Sequence, residues 1–275
     1  MIAIGERING MFEDVKRAIA QKNAGAIQDL ARRQTDRGAD YLDVNVGTAA
    51  ADQQGTMQWL VETIQAACDT PLALDSQKLN VIEAGLKVCN TDKGVLLNST
   101  PLNKKGDDEI LDKYVALAKE RNGSIVALTM DKSGIPQNVD GRVEIAANIV
   151  TRAGELDFPP DRLFIDPIVL PVNVPDAQTQ PGYILEAMSQ ITLMSDPPPH
   201  LTVGLSNMSQ GTEERSLINR TFLVMAIAAG LDSAIVDVFD RDLMEAVATA
   251  EMLLNKQIYS GAFLKAYRML HGGKA

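Results

Sequence analysis

Carboxylate, amide and hydroxyl side chains follow short apolar runs along the whole sequence. Taken singly, such residues favour strand ends and helix N-caps, which is a sufficient structural explanation for most of them. As a set they predict a polar rim that a ligand with many donors and acceptors would satisfy, because each buried polar group without a partner costs about 1–3 kcal/mol. The residues are Glu6, Asp43, Asn45, Asp75, Asn98, Asp166, Ser206, Asn207 and Asp237.

The residue types favour a neutral, hydrogen-bond-rich heteroaromatic ligand. Two carboxylates can accept from an amino-pyrimidine edge, and amides can donate to and accept from a ring carbonyl and ring nitrogens. A pterin offers these groups. A sugar phosphate would need a glycine-rich loop near the last strands, whereas residues 239–242 read Phe-Asp-Arg-Asp, and these acids oppose a phosphate.

Near-continuous apolar runs alternate with longer amphipathic segments. Apolar runs of this kind are typical of parallel strands that are buried on both faces. Eight alternations without a break in composition predict a single TIM (β/α)₈ barrel domain over residues 1–275. The predicted strands are 2–5, 41–46, 72–75, 94–98, 125–130, 163–166, 202–206 and 234–238, and the predicted helices are 24–37, 56–68, 80–88, 108–121, 141–156, 182–195, 218–229 and 242–254.

Composition excludes several function classes. The formal charge of −10 and the absence of a basic stripe argue against duplex nucleic acid as a partner. No apolar run approaches 18 residues and the first residues do not resemble a signal peptide, so we expect a cytoplasmic protein. Cys68 and Cys89 are expected to be reduced structural thiols, and His200 and His271 share no spacing that suggests a metal site.

The motifs resemble those of the methyltetrahydrofolate:corrinoid protein methyltransferases, in order over nearly the whole chain. The most specific blocks are Ile-Gly-Glu-Arg-Ile-Asn-Gly at 4–10 and Gly-Leu-Ser-Asn-Met-Ser-Gln at 204–210. Weaker matches lie at 42–47, 74–76, 98–100, 128–130, 165–167 and 217–223. The same pterin-binding fold occurs in the folate module of cobalamin-dependent methionine synthase and in dihydropteroate synthase.

The resemblance assigns roles to particular residues. It implies that Asn207 lies near the N5 nitrogen of the pterin and is the catalytic residue, and that no metal is bound by the protein. The substrates implied are tetrahydrofolate or 5-methyltetrahydrofolate and a corrinoid (cobalamin) carried by a partner protein. The residues implied in pterin binding are Glu6, Asp43, Asn45, Asp75, Asn98, Asp166, Gly204, Ser206, Gln210 and Arg215.

The sequence does not decide the direction of methyl transfer or the oligomeric state. The resemblance allows methyl transfer toward cobalt, as in acetyl-CoA synthesis, and toward tetrahydrofolate, as in demethylation. It implies a homodimer, for which the apolar face of residues 221–229 is one candidate, although such a face more often packs on the barrel. A mobile corrinoid partner needs an open mouth, which the polar loops at 77, 103–106 and 132–138 could surround.

Two other functions compete with this interpretation. A dihydropteroate synthase would need an Asn-x-Thr-Pro-type loop after strand one and a basic pair near strand eight, and residues 5–12 and 237–242 show neither. A non-catalytic pterin-binding protein would be favoured by the loss of Asn207 or Asp75, and both are present.

Overall fold

The computed structural model describes residues 1–48, 50–102, 109–175 and 177–261, and is built on a sheet of eight strands. All neighbouring strands are parallel; β1 to β7 pair in sequence order, and β8 pairs with β1. The strands are β1 (Ile2–Asn9), β2 (Tyr41–Asn45), β3 (Leu72–Asp75), β4 (Val95–Pro101), β5 (Gly123–Leu128), β6 (Leu163–Asp166), β7 (His200–Leu201) and β8 (Ser233–Val236).

The segment after β7 closes this sheet against β8. Gly204 forms an isolated parallel bridge with Ile235, whose N–H donates to the carbonyl of Val203 at 2.9 Å. The hydroxyl of Ser233 donates to that of Thr202 at 3.2 Å in a buried contact. The two edges of the sheet therefore meet, and the predicted (β/α)₈ barrel is confirmed.

The helices of the described ranges surround this barrel. All eight predicted helices are present with ends that move by up to four residues, and residue 108, a predicted helix start, lies outside the described residues. The helices are α1 (Glu13–Ala20), α2 (Ala24–Asp36), α3 (Gln53–Gln65), α4 (Leu79–Leu86), α5 (Glu109–Glu120), α6 (Val139–Glu155), α7 (Gln180–Ile191), α8 (Arg215–Ala228) and α9 (Arg241–Leu253).

Helix α1 is an addition that the sequence pattern does not predict. It has only eight residues, and Phe12 at its N-cap makes no side-chain capping hydrogen bond. Its buried residues Val15, Ala18 and Ile19 have helical spacing, but one short apolar stripe without a cap signal does not stand out from a loop. Strand β1 is therefore followed by two helices.

The predicted position of strand seven is wrong. The prediction is 202–206, whereas β7 is His200–Leu201, where the side chain of Asp232 accepts from the N–H of Leu201 at 2.9 Å. After Gly204 the chain turns into a 3₁₀ helix at Leu205–Asn207. Single residues continue to pair up to Gly204, which bridges Ile235, so the sequence pattern does not show where the regular strand ends.

The barrel has two apolar layers because strand side chains alternate between its faces. Ile4, Ala73, Leu96, Val126 and Phe164 come from five strands and pack against one another inside the barrel. The intervening strand residues join the larger core between the strands and the helices. This double burial explains why the strands read as continuous apolar runs.

Two glycines let the loops after β1 and β2 cross closely. Gly47 has φ of +74°, and a Cβ added there would lie 2.8 Å from the carbonyl carbon of Gly10. A Cβ on Gly10 would lie 2.5 Å from the carbonyl oxygen of Val46. The backbones therefore touch at this corner of the rim.

Within the described ranges, none of the helices has the length and apolarity needed to span a membrane. Cys68 and Cys89 are free thiols, and burial raises the pKa of Cys89 to about 11. His271 lies outside the described residues.

We expect Gly47→Ala to lower the free energy of unfolding by about 1–3 kcal/mol, because alanine would be strained at positive φ and would meet the Gly10 backbone. Denaturation in urea measures this change. The control is Gly154→Ala in α6, where nothing lies within 4 Å of the added Cβ and the effect should be neutral or stabilising. Equal losses in both variants would contradict the packing argument.

Candidate active site

Five polar residues in or directly after strands lie toward one end of the barrel interior. Each lies two positions after a side chain of the inner apolar layer and therefore points the same way. Strand register places Asn45 beside Asp75, and Asp75 beside Asn98. The inner residues and the polar residues that follow them are Ile4 and Glu6, Ala73 and Asp75, Leu96 and Asn98, Phe164 and Asp166, and Ile235 and Asp237.

Two amides hold two of the carboxylates. Asn45 Nδ2 donates to Asp75 Oδ2 at 2.6 Å, and Asn98 Nδ2 donates to Asp43 Oδ1 at 3.1 Å. The amide of Asn45 is itself oriented, because its Oδ1 accepts from the N–H of Gly47 at 2.7 Å. Each carboxylate keeps accepting capacity for a ligand, since it has two oxygens with about four acceptor sites.

Burial makes this group of acids hard to ionise. It raises the pKa of Asp75 to about 6, partly offset by the hydrogen bond from Asn45. Burial also raises the pKa of Asp43 well above its ordinary value, and the neighbouring carboxylate of Asp75 adds to the rise. Two acids this close share a site that favours one proton between them.

Asp166 lies at the end of β6 and is held by the turn that follows. The N–H of Ile168 donates to its Oδ1 at 2.7 Å, and Ile168 has φ of +61°. Burial raises the pKa of Asp166 to about 7, and this backbone hydrogen bond opposes the rise.

Glu6 connects β1 to the turn after β7. The hydroxyl of Ser206 lies 2.8 and 2.9 Å from its two carboxylate oxygens. Burial raises the pKa of Glu6 to about 7; the Ser206 hydrogen bond opposes this, the Asp237 carboxylate adds to it, and Arg215 and Arg7 lower it. The carboxyl therefore titrates near neutral pH, the range in which a proton donor or acceptor is most useful.

The turn after β7 places Asn207 at the open side of this group. Asn207 is exposed, and its amide nitrogen lies so close to Gly204 that a Cβ there would be 3.0 Å away. Arg215 fixes the turn from α8, where its Nε donates to the hydroxyl of Ser209 at 3.2 Å and its Nη2 to the carbonyl of Ser206 at 3.2 Å. Gln210 is exposed on the same turn.

The structure thus brings the predicted residues together in two tiers. The lower tier is rich in acceptors; Asp43 and Asn98 are buried there, and Glu6, Asp75 and Asp166 are half-buried. The upper tier is the exposed turn with Asn207 and Gln210. The sequence predicts Asp237 at the rim but gives it no role, and its influence on Glu6 follows only from closure of β8 against β1. Its signal in the sequence is its position two residues after Ile235.

The surroundings of the site are described only in part. Of the predicted mouth loops, residues 103–106 lie outside the described residues, and Gln77 is exposed. At the start of the third loop, 132–138, Asp131 and Gly134 pair in a short turn. Among the residues that are described, no group of three or more His, Cys, Asp or Glu side chains could hold a metal ion.

Residues 6–237 match the pterin binding enzyme family. The chain belongs to this family. The residues of the two-tier site lie inside the matched range.

Two kinds of protein are similar to this chain in sequence. A methylcorrinoid:tetrahydrofolate methyltransferase of Eubacterium limosum is 33% identical over 272 residues, which are 98% of this chain and 96% of the relative. A methionine synthase of Mycobacterium tuberculosis is 28% identical over 243 residues, covering 86% of this chain but 20% of that protein. The chain thus corresponds to about one fifth of the methionine synthase.

Solved structures of dihydropteroate synthases share the fold. The enzyme from Thermus thermophilus superposes with a TM-score of 0.61 at 19% identity, over 92% of this chain and 94% of that one. A synthase from Yersinia pestis gives a TM-score of 0.63 at 16% identity. Identities this low establish a common barrel only.

We expect Asp166→Asn to make the free protein more stable than wild type at pH 8, on the order of 2 kcal/mol, with little difference at pH 4. Burial raises the folded-state pKa of Asp166 from 3.8 to about 7, so the folded state binds more protons in this window. Wild-type stability therefore falls as the pH rises from about 4 to about 7. The variant does not lose this stability, because asparagine cannot ionise. Urea denaturation at both pH values measures the effect.

Asp36→Asn serves as the control, because Asp36 is exposed on α2. It should change the free energy of unfolding by less than about 0.5 kcal/mol at either pH. If Asp166→Asn altered stability equally at pH 4 and pH 8, burial of the charge would not be the cause.

Proposed function

We propose that this chain is a methyltransferase that moves a methyl group between N5 of tetrahydrofolate and the cobalt of a corrinoid held on a separate protein. The observation that carries the proposal is the group of Asp75, Asn98 and Asp166, which lie buried or half-buried at one end of the barrel, together with the exposed amide of Asn207 on the turn after β7. Similarity over 98% of the chain to the methyltransferase of Eubacterium limosum supports it.

The lower tier suits the pyrimidine edge of a pterin. That edge carries an exocyclic amine and ring N–H groups, and the buried carboxylates of Asp75 and Asp166 are acceptors for them. The amide of Asn98 can donate to the ring carbonyl or accept from a ring nitrogen. Ligand N–H donors would also favour the ionised carboxylates, offsetting the burial that raises their pKa values.

Asn207 is assigned to the reacting nitrogen. When the methyl–N5 bond breaks, its electron pair stays on N5, and an amine leaves poorly unless positive character on N5 is supported. An amide cannot supply a proton at neutral pH, but it can hold a protonated N5 by accepting a hydrogen bond. This interaction strengthens in the transition state, which is the condition for raising the rate.

The proton comes from water or from an acid near the site, for which Glu6 is suited. Its carboxyl has a pKa near 7 and is hydrogen-bonded to Ser206, the residue that precedes Asn207. In the reverse direction N5 gives up a proton as it takes the methyl group, and the same carboxyl can accept it. The corrinoid supplies the cobalt that receives or delivers the methyl group.

We propose the demethylation direction, from methylcorrinoid to tetrahydrofolate, as the physiological one. The name of the Eubacterium limosum relative gives this direction, and its similarity extends over nearly both chains. One site catalyses both directions of a single equilibrium, so the geometry is compatible with either. We also propose that the protein works in the cytoplasm.

Two alternatives remain distinguishable by experiment. The dihydropteroate synthases that share the barrel are at most 20% identical to this chain, and the acidic segment 239–242 does not favour a phosphorylated pterin. A non-catalytic pterin-binding protein would bind the folate without transferring the methyl group.

The experiment is a mixture of the protein, 5-methyltetrahydrofolate and free cob(I)alamin, followed by the cobalt absorption spectrum. We expect methylcobalamin to form, and tetrahydrofolate with methylcobalamin to give the reverse reaction. Asn207→Ala should slow transfer by about 10²–10³-fold, the loss typical of one preorganised transition-state hydrogen bond, while folate affinity falls less.

The control is Gln190→Ala, which removes an exposed amide from α7 at a distance from the rim. It should leave the rate unchanged. Folate binding without any transfer by the wild-type protein would favour a simple binding protein, and an unchanged rate in Asn207→Ala would remove Asn207 from the mechanism.

We propose a homodimer that uses the outer face of α8. The predicted face at 221–229 divides in two: Phe222, Leu223, Ala226 and Ile227 are buried against the barrel, whereas Met225 is 50% exposed. Val224 and Leu217 extend this exposed apolar surface along α8. Isolated exposed apolar residues are common, but several on one face of one helix favour an interface.

Met225→Lys should therefore shift the protein from dimer to monomer in sedimentation velocity experiments, because a charge would be buried in the interface. The matched control is Met11→Lys, at a residue that is 64% exposed on the loop after β1. A wild-type monomer, or a Met225→Lys dimer of wild-type affinity, would refute this interface.

A further inference from the structure

Arg142 is a fully buried cation with neutral hydrogen-bond partners. It lies in the first turn of α6 with 0% exposure. Its Nε donates to the carbonyl of Pro167 at 3.0 Å, its Nη2 to Oε1 of Gln180 at 2.8 Å and its Nη1 to the carbonyl of Asn138 at 3.3 Å. No carboxylate among these contacts offsets its charge, and burial lowers its pKa. Burying a cation without an opposite charge costs free energy, so we expect Arg142 to have a function that offsets this cost.

The contact with Pro167 connects Arg142 to Asp166 through one peptide group. The carbonyl of Pro167 and the N–H of Ile168 belong to the same peptide unit. Arg142 donates to the carbonyl oxygen of this peptide unit. The N–H of the same unit, which belongs to Ile168, donates to Asp166 Oδ1 at 2.7 Å. In a trans peptide the two groups point in opposite directions, so the guanidinium and the carboxylate lie at the two ends of one dipole.

This arrangement is electrostatically favourable at both ends. The positive guanidinium faces the negative end of the peptide dipole, and the negative carboxylate faces the positive end. A hydrogen bond to the carbonyl polarises the peptide and strengthens the N–H as a donor. The cation of Arg142 therefore acts on Asp166 without touching it.

The backbone at Ile168 depends on such support. Its φ of +61° is rare for a β-branched residue, and this turn brings its N–H back toward Asp166. Strained backbone persists where surrounding contacts hold it. Arg142 supplies one of these contacts from α6.

Gln180 holds the guanidinium from the other side. It is 2% exposed at the start of α7, and its Nε2 donates to the carbonyl of Gln137 at 3.2 Å. Arg142 is thus fixed between the first turns of α6 and α7. The ammonium group of a lysine, on its flexible chain, would not keep this geometry.

We propose that Arg142 is a positioning residue for the pterin site, which acts through the Pro167–Ile168 peptide to aim the carboxylate of Asp166 and to favour its ionised form. This inference rests on the proposed function, because it assumes that ionised Asp166 accepts hydrogen bonds from the pterin.

The groups around Asp166 do not supply the same effect. Burial raises the pKa of Asp166 to about 7, and the Ile168 N–H is the contact that opposes this rise. In the part of the chain described, no hydrogen bond joins Asp166 to another charged side chain of this end of the barrel. Those side chains include Glu6 and Arg7 of β1, Asp43 of β2, Asp75 of β3, Asp131 after β5, Asp237 after β8 and Arg215 of α8.

The test is the affinity for 5-methyltetrahydrofolate between pH 5 and pH 9, measured by isothermal titration calorimetry. Affinity should rise with pH as Asp166 ionises. In Arg142→Gln we expect the midpoint of this rise to move up by about one unit, the lower end of the effect of a nearby opposite charge. Affinity then falls up to about tenfold below the midpoint and is nearly unchanged at pH 9.

Two further variants separate charge from packing. Gln180→Glu is isosteric and places a carboxylate against the guanidinium, so it should also move the midpoint up, even if Arg142→Gln does not fold. Arg142→Lys keeps the charge and should leave the midpoint closer to that of wild type. Asp166→Asn should remove this part of the pH dependence, and Arg142→Gln should add no shift in that background.

The outcomes distinguish the inference from the function on which it rests. If wild-type protein binds 5-methyltetrahydrofolate and both Arg142→Gln and Gln180→Glu keep its midpoint, Arg142 has only a structural role and the inference is overturned. If wild-type protein does not bind this folate, the proposed function fails, and the inference fails with it.

Discussion

Loss of water around the carboxylates at one end of the barrel is the constraint on which the site depends. Asp43, Asp75 and Asp166 point into a closed ring of strands, where charge is poorly solvated and where their described hydrogen-bond partners are amide and backbone N–H groups. The cations nearby contact backbone carbonyls: Arg215 donates to the carbonyl of Ser206 on the turn after β7, and Arg142 donates to the carbonyl of Pro167 after β6. This end of the interior is therefore richer in acceptors than in donors, and a flat ligand with several N–H groups suits it.

The residues assigned to pterin recognition and the residue assigned to the reaction differ in their depth below the protein surface. The acids that would recognise a pterin are at least half-buried. The crossing of Gly10 and Gly47 fixes the turn whose N–H orients Asn45, the partner of Asp75. Asn207, assigned to the reacting nitrogen, lies on an exposed turn. A methyl acceptor that arrives on another protein needs this geometry, since the reacting atom must be reachable while the rest of the ring is held.

Much of the fold could be predicted from the sequence, because parallel strands buried on both faces leave apolar runs of recognisable length. The polar residues after these runs were predictable for the same reason: Asp75 and Asp166 each follow an inner-layer residue by two positions. Motif resemblance added roles to these positions. Strand seven and α1 could not be placed, because an extended segment gives no sign of where pairing stops and one short apolar stripe gives no clear helix signal.

By itself, the sequence determined the order of strands, the alternation of faces and the identity of the rim residues, since these follow from local periodicity. The tertiary structure alone decided which rim residues meet. Glu6 reaches Ser206 across 200 positions because the barrel closes, and Arg142 reaches Pro167 because α6 packs beside the end of β6. The raised pKa values of the acids also belong to this level, because burial depends on the packing of all eight strands.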